Sequence, residues 1–274
     1  MLKYRLLTAF LMGPLILWAV YALPENLFAL FAFILVSLGA WEWSAFADLR
    51  SPMQRGLFIA INIILFIAVL YLQNIELNIF VIMASLLWWI LCIPLLIFFP
   101  LQKNNIINSK AIKIFIGVIL LLATIVSMVH IRNNPVYGSE FVLFLILLIW
   151  FADSGAYFAG RAFGKNKLIP NVSPGKTWEG VAGALVTTFV VTLVAIKLLN
   201  ISSSHSLVFI LITFVTVVYS IVGDLSESMF KRMANIKDSG HILPGHGGIL
   251  DRIDSLMSAF PVFVAGLWLM EKLG

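Results

Sequence analysis

Thiols are nearly absent: the chain has one cysteine, Cys92, set inside an apolar run. A single thiol excludes an internal disulfide framework and a cysteine-rich metal centre. Charge is scarce as well. Only 11% of the 274 residues are Asp, Glu, Lys or Arg, against roughly 25% in soluble domains. The apolar share is 61% and the mean hydropathy +1.03. A water-soluble domain of this length cannot bury so much apolar surface, so lipid is the expected solvent. Internal repeats and low-complexity segments are also lacking, which points to one domain. Lys3 and Arg5 precede an apolar stretch as in a secretory signal, but no small-residue cleavage site follows. Pro24-Glu25 leads straight into the next apolar run, so a retained first span is expected.

What is there is a succession of long apolar runs. A bilayer core of about 30 Å needs roughly 20 apolar residues per helix. The sequence offers nine such runs, at Leu6–Leu23, Leu27–Ala47, Leu57–Gln73, Asn78–Leu101 and Ile114–Val129 in the first half. Glu140–Gly160, Thr177–Leu199, Leu207–Phe230 and Asp251–Met270 follow. The expected fold class is an all-α, polytopic integral membrane protein with about nine spans and a cytoplasmic N-terminus. Charge supports this count. Of the 18 Lys and Arg residues, only Arg132, Lys197 and Lys272 fall on the outer side, leaving 15 inside, as the positive-inside rule asks. The net charge of +5 therefore reads as loop topology rather than nucleic-acid binding. The two longest polar connections, 161–176 and 231–250, face the cytoplasm in this arrangement. Residues 1–139 read as scaffold spans and 140–274 as catalytic spans and loops.

The first half is chemically plain. Glu42, between Trp41 and Trp43 near a span end, reads as an interfacial residue. The second half is not plain. Asp153 follows an apolar run, where an acid costs about 2.5–3.5 kcal/mol to insert and usually lines a polar cavity. Ala152, Ala156, Gly160 and Gly164 recur every fourth residue, a stripe that lets helices approach closely. Gly175-Lys176-Thr177 invites a P-loop reading, but Pro170 stands where that motif needs its first glycine and no strand is expected ahead of it. Ser173 and Pro174 instead read as N-cap and first residue of the seventh helix, with Lys176 close by. That arrangement is either a plain cap with a topogenic lysine or a phosphate cradle.

The densest signal begins at Asp224. Asp224, Glu227, Ser228 and Lys231 share one helix face. Arg232, Lys237-Asp238, Gly240 and Pro244-Gly245-His246-Gly247-Gly248 follow, and the last span opens on Asp251-Arg252-Ile253-Asp254. Two acidic faces flanking a glycine-rich, cation-bearing loop suit phosphate chemistry. Hard Mg²⁺ takes carboxylate oxygens together with water and substrate phosphates. Lysine and arginine neutralise polyphosphate charge, and glycine lets backbone N–H groups reach phosphate oxygens. His241 and His246 do not make a zinc site, because the surrounding donors are hard oxygens.

These residues resemble the signature of the phosphatidate cytidylyltransferase (CDP-diacylglycerol synthase) family. It stands here as Ser228, Lys231-Arg232, Lys237-Asp238, Pro244, His246-Gly247-Gly248, Asp251-Arg252 and Asp254. The stretches 153–161 and 173–180 are similar to that family too, while the first half matches only in being hydrophobic. The resemblance implies transfer of cytidylyl from CTP to phosphatidate. No organellar targeting segment is apparent, so a multi-pass protein of a bacterial inner membrane is expected, and the charge distribution turns its site to the cytoplasm. The resemblance also implies metal ligands at Asp224, Asp251 and Asp254, for Mg²⁺ and room for a second cation. Catalytic roles fall to Asp224, Asp251, Lys231 and Arg252. Substrate contacts fall to Asp153, Ser173, Lys176, Ser228, Arg232, Lys237, His246, Gly247 and Gly248. The expected partners are CTP, phosphatidate and membrane lipid, with a homodimer left open and nucleic acid excluded. Competing readings are a CTP-using polyprenol kinase, a CDP-alcohol phosphotransferase, whose acidic one-helix pattern is missing, and an ion-coupled transporter.

Overall fold

The computed structural model describes residues 13–72, 74–99, 106–135, 138–242 and 247–273. Lys3, Arg5, the start of the first span, Lys103, Pro244 and His246 lie outside these residues. Helix α1 is described over Gly13–Ala22. It is followed by α2 (Glu25–Phe46), α3 (Pro52–Leu72), α4 (Ile75–Ile97), a short 3₁₀ turn (Ile106–Asn108), α5 (Lys110–Arg132) and α6 (Gly138–Phe163). A two-stranded hairpin, β1 (Lys167–Ile169) and β2 (Ser173–Thr177), precedes α7 (Trp178–Leu198), α8 (Ser203–Met233) and α9 (Leu250–Leu273). Among the described residues, α2 to α9 are eight helices long and apolar enough to cross a membrane. The protein is thus an all-α, polytopic membrane protein, as the apolar runs indicate.

Helix ends follow local chemistry. The side chain of Asn74 accepts from the backbone N–H groups of Glu76 (2.8 Å) and Leu77 (3.1 Å), starting α4. Helices α2, α7 and α8 end alike. Asp48, Asn200 and Asn235 take positive φ (54°, 52° and 56°), and the next residue donates back to Ser44, Ile196 and Lys231 respectively. This is the left-handed stop that short polar side chains tolerate. Arg132 at the end of α5 donates to the carbonyls of Val20 (3.1 Å) and Leu23 (2.9 Å), tethering the end of α1.

The hairpin corrects two expectations. Ser173 pairs with Ile169, and Lys167 with Thr177, so Ser173 and Pro174 are strand residues rather than a helix cap. The cap of α7 is Thr177, whose Oγ1 accepts from the N–H of Gly180 at 3.1 Å. A strand does precede Gly175, but it belongs to an antiparallel hairpin and not to a phosphate-binding strand–loop–helix. The hairpin is braced by Trp178 donating to Asn166 O (2.9 Å) and by Asn166 Nδ2 donating to Glu179 (2.8 Å).

Two packing features set the site's walls. Helices α6 and α7 meet along a seam of small residues. A Cβ on Gly183 would lie 2.7 Å from Gly155 O, and one on Gly180 3.0 Å from Ala156 O. The small-residue stripe is therefore helix packing. On the other side Phe230 of α8 packs against Trp43 and Phe46 of α2 and Trp88 of α4, with ring centroids 4.9, 6.1 and 6.0 Å apart. This aromatic cluster locks the end of α8 that carries the charged face.

Candidate active site

Helix α8 presents Asp224, Glu227, Ser228 and Lys231 on one face, and α9 brings Asp251 and Asp254 against it. Lys231 Nζ lies 2.7 Å from Asp251 Oδ1 and also forms an ion pair with Glu227 one turn back. Asp251 Oδ2 accepts from the N–H groups of Gly248 (2.8 Å) and Ser239 (3.0 Å). Gly247 makes this possible with φ +81°, a conformation that L side chains rarely adopt. Glu227 is buried, and its carboxylate is paired with Lys231. Asp224 Oδ2 is held by Lys176 Nζ at 2.7 Å, reaching across from β2. Ser228 Oγ makes a long contact of 3.4 Å to Asp224. Asp153 and Asp254 both lie within charge–charge range of Asp224 and Lys176.

Some of these groups, though not Lys176, Glu227 or Ser228, line one end of a cavity of about 700 Å³. Asp153, Asp224, Lys231, Asp251, Arg252 and Asp254 face its polar end, together with Asp238. The rest of the wall is apolar, built from residues such as Val20 of α1, Phe28 and Val36 of α2, Met128 of α5 and Ile149 of α6. The cavity thus offers charge at one end and hydrocarbon-like surface at the other.

The remaining expected site residues fall elsewhere. Arg232 is exposed and donates to Val172 O (3.3 Å), bracing the hairpin. Lys237 is exposed on the loop, and Ser173 sits half-buried in β2 away from the cavity lining. Gly247 and Gly248 back Asp251 rather than line the cavity. One group escaped sequence reasoning: Glu42 is not interfacial but 3% exposed, with its carboxylate turned into the 239–250 loop. The available signal was an acid inside an apolar run.

The donors at the polar end of the cavity are carboxylate oxygens with no thiol among them, a chemistry that suits a hard divalent cation. Among the described residues no three Asp, Glu, His or Cys side chains sit close enough to hold a metal alone. An ion there would need substrate oxygens and water to complete its shell.

Fold and site together define a polytopic membrane protein with an amphipathic, acid-lined cavity. The chain belongs to the cytidylyltransferase family, whose sequence profile matches residues 3–270. It is 42% identical to the phosphatidate cytidylyltransferase of Pseudomonas aeruginosa, over 98% of this chain and 97% of that protein. The Haemophilus influenzae phosphatidate cytidylyltransferase is 36% identical, over 96% and 97% respectively. The Bacillus subtilis protein of that name is 42% identical over 151 residues, 53% of this chain.

Proposed function

We propose that this chain transfers the cytidylyl group of CTP to phosphatidate, giving CDP-diacylglycerol and pyrophosphate for phospholipid synthesis. The observation that carries the proposal is the cavity. One end has Lys231 and Arg252 beside acids that would hold a divalent cation for a triphosphate, and the other has the apolar wall to hold acyl chains, so a water-soluble anion and a lipid can meet in one space. The named relatives point the same way.

An oxygen of the phosphatidate phosphate attacks the α-phosphorus of CTP. The bond from that phosphorus to the β-bridging oxygen breaks, and pyrophosphate leaves with the electron pair. The attacking oxygen is already anionic, so no protein nucleophile or base is required. Lys176, Lys231 and Arg252 neutralise the triphosphate and the charge that grows on the leaving group. Lys176 and Lys231 are held by Asp224 and Asp251. Shifting each lysine to a phosphate frees a carboxylate oxygen. Those carboxylates, with Asp254, would hold Mg²⁺, which supplies further charge neutralisation when bound. Most of the rate then comes from positioning and preset charge.

The active site faces the cytoplasm of a bacterial inner membrane in this proposal. The distribution of Lys and Arg supports that side, and the relatives named above are bacterial. The test uses purified protein in detergent with CTP and phosphatidate. CDP-lipid and pyrophosphate in equal amounts are expected. Pyrophosphate formation that ignores phosphatidate, or phosphorylation of a polyprenol instead, would overturn the proposal.

A further inference from the structure

Glu42 stands near the end of α2, far in sequence from everything it touches. Its Oε1 accepts from Ile249 N at 3.0 Å, and its Oε2 accepts from Leu250 N at 2.7 Å and Ser239 Oγ at 3.1 Å. Ile249 and Leu250 open α9, where the first N–H groups lack partners within the helix. Here a carboxylate from another helix satisfies them, and its charge complements the positive end of the helix dipole. Ser239 forms a second arm. Its Oγ also accepts from Asp251 N (3.3 Å), while its own N–H donates to Asp251 Oδ2. Gly240 and Gly248 press so closely that a Cβ on either would collide with the Glu42 carboxylate. Burying a carboxylate is costly unless it is hydrogen-bonded, and Glu42 has donors but no ion-pair partner among the described residues.

We infer that Glu42 is a positioning residue for the active site. Through Ser239 and the start of α9 it fixes Asp251, and through Asp251 it fixes Lys231 at the charged end of the cavity. Glu42 itself does not line that cavity, so it acts only through these residues. The catalytic consequence rests on the function proposed above; the clamp itself does not.

Two measurements on Glu42→Gln separate these parts. Gln keeps the volume but, in either amide orientation, turns an NH₂ toward a backbone N–H, that of Ile249 or of Leu250. Hydrogen exchange of purified protein should quicken in the peptide spanning 247–252, with the α6–α7 peptides unchanged. Unaltered exchange at 247–252 overturns the clamp, as does equal quickening across the α6–α7 seam. In turnover, kcat should fall by about 10²-fold, the loss that a 1 Å misplacement can cause, while KM for phosphatidate stays near wild type. Wild-type kcat, or a loss carried wholly by KM for phosphatidate, overturns the positioning role. Ser239→Ala removes one hydroxyl only and should show the same kcat loss if Glu42→Gln does not fold; wild-type kcat in Ser239→Ala overturns the relay. A wild-type chain that makes no CDP-lipid defeats the proposed function and leaves the exchange result to decide the clamp.

Discussion

Lys176 of the hairpin and Asp224 of α8 hold each other at 2.7 Å, with side chains 27% and 32% exposed. A pair this open to solvent stabilises a fold by only about 0–1 kcal/mol. Its value is therefore positional. The hairpin, bound otherwise through Arg232 and Asn166, delivers one cation to an acid that lines the cavity, and an incoming polyphosphate can take that cation over.

Lys176→Met should accordingly leave folding nearly intact and damage catalysis. The expected loss in kcat/KM for CTP is about 10²–10³-fold, typical of removing one preset charge from a developing anion. Thermal melting of the detergent-solubilised variant should stay within a few degrees of wild type. A large drop in Tm with modest loss of turnover would assign Lys176 to the scaffold instead.

Lys231 behaves differently because its partners are shielded: its side chain is 14% exposed, that of Asp251 9% and that of Glu227 3%. Lys231→Met strands both acids and should cost about 3–5 kcal/mol, visible as a marked fall in Tm. The double variant Glu227→Gln with Lys231→Met should recover part of that stability without recovering turnover. Recovery of activity would show that Lys231 serves only to neutralise Glu227.

Chelation should abolish CDP-lipid formation, and added Mg²⁺ should restore it. Asp224→Asn and Asp251→Asn should each raise the Mg²⁺ concentration needed for half-maximal rate, or abolish turnover at any concentration. Wild-type Mg²⁺ dependence in both variants would remove the metal from these carboxylates.

The glycine seam predicts stability rather than chemistry. Gly183→Ala places a methyl 2.7 Å from Gly155 O, a backbone atom that cannot rotate away. Overpacking of this kind costs about 1–3 kcal/mol. A melting curve checks it: Tm should fall, while the variant's KM for CTP at low temperature remains unchanged.

Much of this architecture was legible in the chain. Apolar runs long enough to cross a bilayer are detectable residue by residue, and the spans read at Glu140–Gly160 and Leu207–Phe230 became Gly138–Phe163 and Ser203–Met233. The charged face of α8 was legible because Asp224, Glu227, Ser228 and Lys231 are neighbours by helical spacing alone. The hairpin was not. Its strands of three and five residues are too short for an alternating pattern, and Ser173-Pro174 imitates a helix start that Thr177 in fact supplies. Glu42 reads as interfacial in the sequence because its partners lie about two hundred positions away, beyond any local pattern. The pairing of Lys176 with Asp224 depends in the same way on tertiary contact.

Helix α8 has 31 residues, roughly 46 Å at 1.5 Å per residue, against about 30 Å of hydrocarbon. Its apolar stretch ends at Val222, and the surplus turns carry the reacting face. One unbroken rod therefore joins the lipid anchor to the chemistry. The surplus turns thereby lift Asp224 and Lys231 clear of the hydrocarbon with no joint between them and the lipid-embedded turns.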